Sequence, residues 1–247
     1  MLALLLTLAA MVGEAKPTSL RQRPSHPSAV DLYGATDPWA YLTGQFEPAK
    51  HPLFIRIRGL GPRSKRHWLR REAAEALVRM FRALRQAIPG AALTVRSGAR
   101  TFAFQAKVWD LRFHSSRGNA RERGLHVMRW FAMPGTSRHH WGTEVDILEF
   151  SNHYFQRGIG RRIYRWLQAN AARYGYCQPF TRGRQHGYRE ERWHWSYRPL
   201  ARHFRQEWLR RFARFPNPAT ALGPFAGRQT LAPLAPTYVA NVDPGCR

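Results

Sequence analysis

Ser137-Arg138-His139-His140-Trp141-Gly142-Thr143-Glu144-Val145-Asp146 is the stretch around which this 247-residue chain is organised, and Glu191-Arg192-Trp193-His194 completes it. The two segments offer imidazoles at His139 and His194, a carboxylate at Asp146, and a spare carboxylate, Glu191, close to the second imidazole. Two imidazoles and one carboxylate suit a catalytic zinc ion, whose three protein ligands leave a fourth position for water. His139 and Asp146 lie seven residues apart, a spacing that one helical face does not naturally bring together. A loop entering a strand can do so: His139 precedes the Gly142 turn, Asp146 sits on a strand over 145–150, and His194 comes from a neighbouring strand.

Glu191, three residues before His194, would lie on the opposite face of a continuous strand. An irregular approach, or a strand beginning only near Arg192, would let Glu191 reach a metal-bound water and act as general base. Arg100, at a strand end, could steady an oxyanion or hold a substrate carboxylate. Taken singly, each residue has a blander reading. A lone His or Asp is usually structural, Glu191 is a surface charge, Arg100 is one arginine among dozens, and Trp193 is core or cleft wall. His140 is either a hydrogen bonder behind the site or an exposed side chain. The combination and its spacing carry the inference.

Outward from this centre, 53–57 is a short β-rich run stopped by Gly59 and Gly61-Pro62. Apolar positions Leu69, Ala73, Leu77, Met80, Leu84 and Ile88 predict an amphipathic helix over 68–88, ended by Pro89-Gly90. Residues 92–97 read as a strand, Thr101 as a cap, and 102–113 as a helix bearing Gln105. Residues 114–136 read as a long loop of the kind that borders a cleft. A helix over 161–174 follows, then strands near 176–180 and 192–197, and a last helix marked by Leu200, Phe204, Trp208 and Phe212.

Composition sets the frame. The chain is 44% hydrophobic, enough for a packed core, and carries a formal net charge of +25. Only Lys16, Lys50, Lys65 and Lys107 are lysines, so the basic surface is arginine. Such a surface attracts polyanions, an acidic cell wall among them, or reflects a bias toward arginine without a dedicated partner. Nothing specific to nucleic acid is present. Residues 2–12 form an apolar run that fits the core of a signal peptide spanning 1–15 and is short for a bilayer. No later run is long enough to cross a membrane. The expected organisation is a flexible lead-in at 16–38, one domain over 39–215, and a Pro/Ala/Gly-rich tail over 216–247. Cys177 and Cys246 either pair in an oxidising compartment or stay free.

The pattern Ser137-x-His139-x-x-Gly142-x-x-x-Asp146, followed by Glu191-x-Trp193-His194, resembles the signature of VanY-type zinc D-alanyl-D-alanine carboxypeptidases and the wider hedgehog/D,D-peptidase-like group. Ser97-Gly98-Ala99-Arg100 with Gln105, and Tyr41-Leu42-x-Gly44-x-Phe46-x-Pro48, are similar to two further motifs of that family. The resemblance implies an α+β fold, a small antiparallel sheet flanked by helices. It also implies one Zn2+ on His139, Asp146 and His194, Glu191 as base, and Arg100 as a catalytic and substrate contact. Gln105, Ser137 and Trp193 would join Arg100 in binding substrate. The expected activity is that of an exported periplasmic or secreted hydrolase removing the terminal D-alanine of peptidoglycan peptides. An L,D-type endopeptidase and a non-catalytic cationic wall- or nucleic-acid-binding module are the alternatives, and an iron oxygenase shares the ligand types. Glu144 departs from the family, which commonly has alanine there. It could tune substrate choice, bind the ion, or turn away into an arginine-rich loop.

Overall fold

The computed structural model describes residues 32–58, 60 and 67–247. The proposed signal peptide at 1–15, and the lead-in as far as residue 31, lie outside the described residues. Chain order within the described part begins with helix α1 (Pro38–Leu42), capped by the Asp37 carboxylate, which accepts from the Trp39 and Ala40 N–H groups. Strands β1 (Phe54–Arg56) and β2 (Trp68–Arg70) form a two-stranded antiparallel sheet. Helix α2 (Arg71–Ala87) follows directly.

The helix predicted over 68–88 therefore starts three residues late. Leu69 satisfies the helical period and a strand pairing equally well, and the pairing of Trp68–Arg70 with β1 decides the matter. The Arg70 guanidinium is fully buried, bonded to the Leu32 carbonyl and paired with Glu72.

A second, four-stranded antiparallel sheet contains β3 (Val95–Ser97), β4 (Glu144–Ile147), β5 (Tyr176–Cys177) and β6 (His194–Tyr197), in the spatial order β3-β4-β6-β5. Helices α3 (Phe102–Ser115), α4 (Ala120–Val127), α5 (Gly158–Asn170) and α6 (Arg198–Phe212) flank it. This is the α+β arrangement expected. Alternation sorts the side chains. Val145, Ile147 and Trp195 join a core built on α2 and α5 with Leu77, Met80, Phe81, Leu84, Ile163 and Leu167. Glu144, Asp146, His194 and Ser196 take the other face. Register places Asp146 opposite His194 and Glu144 opposite Ser196.

The strand predicted over 145–150 stops at Ile147, because Leu148 turns to φ 61° while its N–H bonds the Thr94 carbonyl. The loop read over 114–136 contains α4, begun by a capping box in which the Asn119 and Glu122 side chains each bond the other's backbone N–H. That Asn-x-x-Glu signal is visible in the sequence.

The largest correction concerns 216–247, which is no loose tail. Helices α7 (Pro218–Ala221), α8 (Arg228–Leu231) and α9 (Ala235–Ala240), with the residues that follow the first two, pack Ala219, Leu222, Leu231, Ala232, Ala235 and Val239 into a second core. That core also holds Tyr41, Trp109, Trp141, Phe204 and Trp208. Prolines here open short helices in their first turn, where a missing N–H is harmless, and alanines permit close approach. Composition reads as a tail; local geometry uses the same residues to build. Leu32 and Tyr33, at the end of the expected lead-in, are likewise buried. Cys177 and Cys246 form a disulfide that ties the end of the chain to β5.

Leu231 is fully buried, with the α4 residue Gly124 packed so closely that a Cβ there would come within 2.3 Å of its side chain. Leu231→Ala is expected to lower the unfolding free energy by about 2–5 kcal/mol in urea titration. A change under about 0.5 kcal/mol would mean that the segment does not belong to the folded unit.

Candidate active site

His139 lies in a 3-10 turn, Arg138–Trp141, closed by Gly142 in the left-handed conformation at φ 71°. Glycine is required here for a second reason, since a Cβ would strike the Phe54 ring at 2.2 Å. The turn delivers His139 beside Asp146 on β4, with Nε2 3.2 Å from Asp146 Oδ2. The His139 Nδ1–H donates to the Gly98 carbonyl at 2.7 Å, which leaves the Nε2 lone pair free to bind an ion. Across the strand pair, His194 Nδ1 lies 3.1 Å from Asp146 Oδ1 and 3.5 Å from Glu191 Oε2.

One donor atom from each of His139, Asp146 and His194 falls within 4.8 Å of the others. Ligand atoms on a tetrahedral zinc at about 2.0–2.1 Å lie roughly 3.3–3.4 Å apart, so modest contraction would seat the ion. Asp146 Oδ1 is buried and makes no well-aligned hydrogen bond among the described residues; it shares with His194 Nδ1, 3.1 Å away, the space that a cation would fill. The residues fit a divalent metal.

Electrostatics agree with that fit. Burial, helped by the Arg100 charge, pushes the His139 imidazole down to about 4, so it stands neutral. Burial alone would raise the Asp146 carboxyl, but His139, His194 and Arg100 together hold it well below its ordinary range. For His194 burial acts downward and is outweighed by Asp146 and Glu144, which lift it to about 9. A metal must therefore compete with a proton for its Nδ1. Glu191 is pushed up to about 8, chiefly by burial, with His194 opposing and Asp146 adding to the rise. A cation beside it would drive that value down again.

Arg100 donates from Nη2 to Asp146 Oδ2 at 2.6 Å and from Nε to Ser97 Oγ at 2.9 Å. With Ser137, Trp193, Glu191 and both histidines it lines an open cleft of about 1210 Å³. Gln105 does not: it is 1% exposed, lies off the cleft lining, and donates from Nε2 to the Ala132 carbonyl. The helix face it occupies turns inward, against the Ala132 backbone. Trp193 stacks on Trp130, and Phe150 meets it edge-on. Neither Trp130, in the segment read as a loop over 114–136, nor Phe150, at the end of the strand read over 145–150, carries a sequence signal for a place in the cleft.

His140 is fully buried behind the site. Its Nε2 accepts from the Gly135 N–H at 3.1 Å, so Nδ1 carries the proton and donates to the Arg100 carbonyl at 2.8 Å. Burial lowers it to about 3. Because the folded value lies below the unfolded value of about 6.5, the unfolded state takes up the proton first. The stability this residue supplies is complete above pH 6.5 and is lost as pH falls toward 3. The stability advantage of the wild type over His140→Gln should therefore shrink, by a few kcal/mol, between these limits in pH-dependent denaturation. A difference that does not change with pH would overturn the assignment of a buried neutral imidazole.

Comparison with known proteins bears on this site. A family model described as VanY, D-alanyl-D-alanine carboxypeptidase, matches residues 66–200. A D-alanyl-D-alanine carboxypeptidase of Enterococcus faecalis is 31% identical over 108 residues, 42% of this chain and 39% of that protein. A putative carboxypeptidase of Bacillus subtilis is 28% identical over 160 residues, 63% of this chain and 56% of that one. The chain thus spans well under two thirds of either relative. Among solved structures, a variant of a vancomycin-resistance VanY D,D-pentapeptidase in complex with Zn(II) is 24% identical with a TM-score of 0.45, covering 58% of this chain and 84% of that one. The LD-carboxypeptidase LdcB is 21% identical with a TM-score of 0.49, covering 66% and 76%. The family match spans more than half of the sequence, from the strand before α2 to the start of α6, and takes in His139, Asp146, Glu191 and His194: the chain belongs to the VanY D-alanyl-D-alanine carboxypeptidase family.

Proposed function

We propose that this protein is an exported zinc peptidase that hydrolyses peptidoglycan peptides, removing the terminal D-alanine from D-Ala-D-Ala. The observation that carries the proposal is the buried trio His139, Asp146 and His194, with the Glu191 carboxylate 3.5 Å from His194 Nδ1, opening on an arginine-lined cleft. Family membership supports the peptide substrate, and the E. faecalis relative bears the name of this activity.

In this reading His139 Nε2, Asp146 and His194 Nδ1 would hold the ion. Zinc there would supply Lewis acidity and bring the pKa of water from 15.7 to about 7. Glu191 takes the proton of the attacking water and returns it to the leaving amine of D-alanine. Its burial keeps bulk water from competing for that proton. Arg100, 17% exposed at the cleft, turns its free N–H groups toward the substrate, either to the oxyanion or to the terminal carboxylate. Ser137 and Trp193 shape the wall beside the scissile bond. The peptidase unit takes in residues from at least Leu32, which packs with Tyr33 in the second core, through the C-terminal segment that packs on it. The apolar run at 2–12 directs export, the disulfide suits an oxidising compartment, and the +25 charge favours association with an anionic wall. No helix among the described residues is long and apolar enough to cross a membrane.

Release of D-alanine from a peptide ending in D-Ala-D-Ala should be abolished by a chelator and restored by Zn2+. Glu191→Gln should lower kcat by about 10²–10⁴-fold with zinc content unchanged. Full activity in that variant would remove Glu191 from the mechanism. Cleavage only within intact wall, with no free D-alanine, would replace the carboxypeptidase reading by an endopeptidase.

A further inference from the structure

Glu144 stands two residues before Asp146 on β4, so both carboxylates share one face. Register sets Asp146 opposite His194 and Glu144 opposite Ser196, which makes Glu144 the diagonal neighbour of His194. The imidazole lies between the two acids. Nδ1 points to Asp146 at 3.1 Å and to Glu191 at 3.5 Å, while Nε2 meets Glu144 Oε2 at 2.8 Å.

The rest of the Glu144 carboxylate is occupied. Oε1 accepts from Ser196 Oγ at 2.7 Å and from Thr143 Oγ1 at 3.0 Å, and faces Arg138 Nη2 at 3.3 Å. Arg138 Nη2 also donates to Ser196 Oγ at 2.7 Å, and its guanidinium lies over the Trp141 ring. Glu144 is 0% exposed and Arg138 4%. Placing an ion pair this deep carries a desolvation cost, and an apolar pair would serve packing as well or better. Two of the readings left open for Glu144 are closed by this geometry. Both of its oxygens are engaged on the Nε2 side of His194, away from the Nδ1 side where Asp146 and Glu191 gather, so it is not an ion ligand. Nor does it line the cleft, so it does not meet the substrate.

We propose that Glu144 is a positioning residue for the metal centre: Oε2 accepts the Nε2–H of His194, fixing the ring and its tautomer so that the Nδ1 lone pair faces the ion, while Arg138 and Ser196 hold the carboxylate in place. A carboxylate behind a ligating imidazole raises its donor strength, and losing such a partner typically costs 10–100-fold in metal affinity. The proposal rests on the reading of His139, Asp146 and His194 as zinc ligands.

The test is zinc affinity, measured by competition with a chromophoric chelator at neutral pH. It compares the wild type, Glu144→Gln, and the double variant Glu144→Ala/Arg138→Met, which removes both buried charges and strands neither. Both variants should bind zinc about 10–100-fold more weakly, and their cobalt(II)-substituted forms should show altered visible spectra. Folded variants with affinity within about twofold of wild type and an unchanged cobalt spectrum would overturn the proposal. Long-range ¹H–¹⁵N correlation on zinc-loaded wild type is decisive even where a variant does not fold. It should find the proton on Nε2 of His194, and a proton on Nδ1 would refute the assignment. A wild type that takes up no zinc would instead overturn the ligand assignment beneath it.

Discussion

Two antiparallel strands, β4 and β6, carry the constraint on which the rest depends. Their residues alternate, apolar to one side and polar to the other, and a slip of one residue would exchange the faces. Val145, Ile147 and Trp195 are anchored in the core under α2 and α5, which pins the register. With register pinned, Asp146, His194, Glu144 and Ser196 have no choice of position. Hydrophobic burial on one face thus sets atomic distances on the other, and the site inherits its precision from packing.

The polar face is a dense cluster of buried ionisable groups in a chain with net charge +25. It is tolerable because the groups satisfy one another. Arg138 offsets Glu144, Arg100 offsets Asp146, and backbone carbonyls of Gly98 and Arg100 take the protons of His139 and His140. Among the described residues, the exceptions include Asp146 Oδ1, which faces the space where the donor atoms converge, and two nitrogens of Arg138.

The wall bearing Glu191 is braced from a distance in sequence. Phe180 and Tyr188 pack with Val242 and Cys246, Thr181 donates to Asp243, and Arg184 donates to carbonyls of Asn241, Tyr188 and Arg189. The disulfide closes this unit across a sequence separation of 69. The C-terminal segment therefore supports the site although none of its side chains lines the cleft.

Much of this was legible in the residues themselves. The α2 periodicity, the strand–turn–helix from Val95 to Ser115, the Gly142 turn, and the candidate ligands are local patterns, and local patterns survive without tertiary context. The start of α2 at Arg71, the early end of β4 at Leu148, and the packing of 216–247 were not, because each depends on a partner distant in sequence: β1, the Thr94 carbonyl, and the α4 and α6 faces. Gln105 illustrates the same limit in the site, since a helix position does not say which way the cleft lies. Glu144 is the sharpest case. From the sequence it was one acid near a metal motif, with three destinations open. Only the pairing of β4 with β6 places its carboxylate behind His194, because a diagonal contact across strands exists in no single stretch of chain.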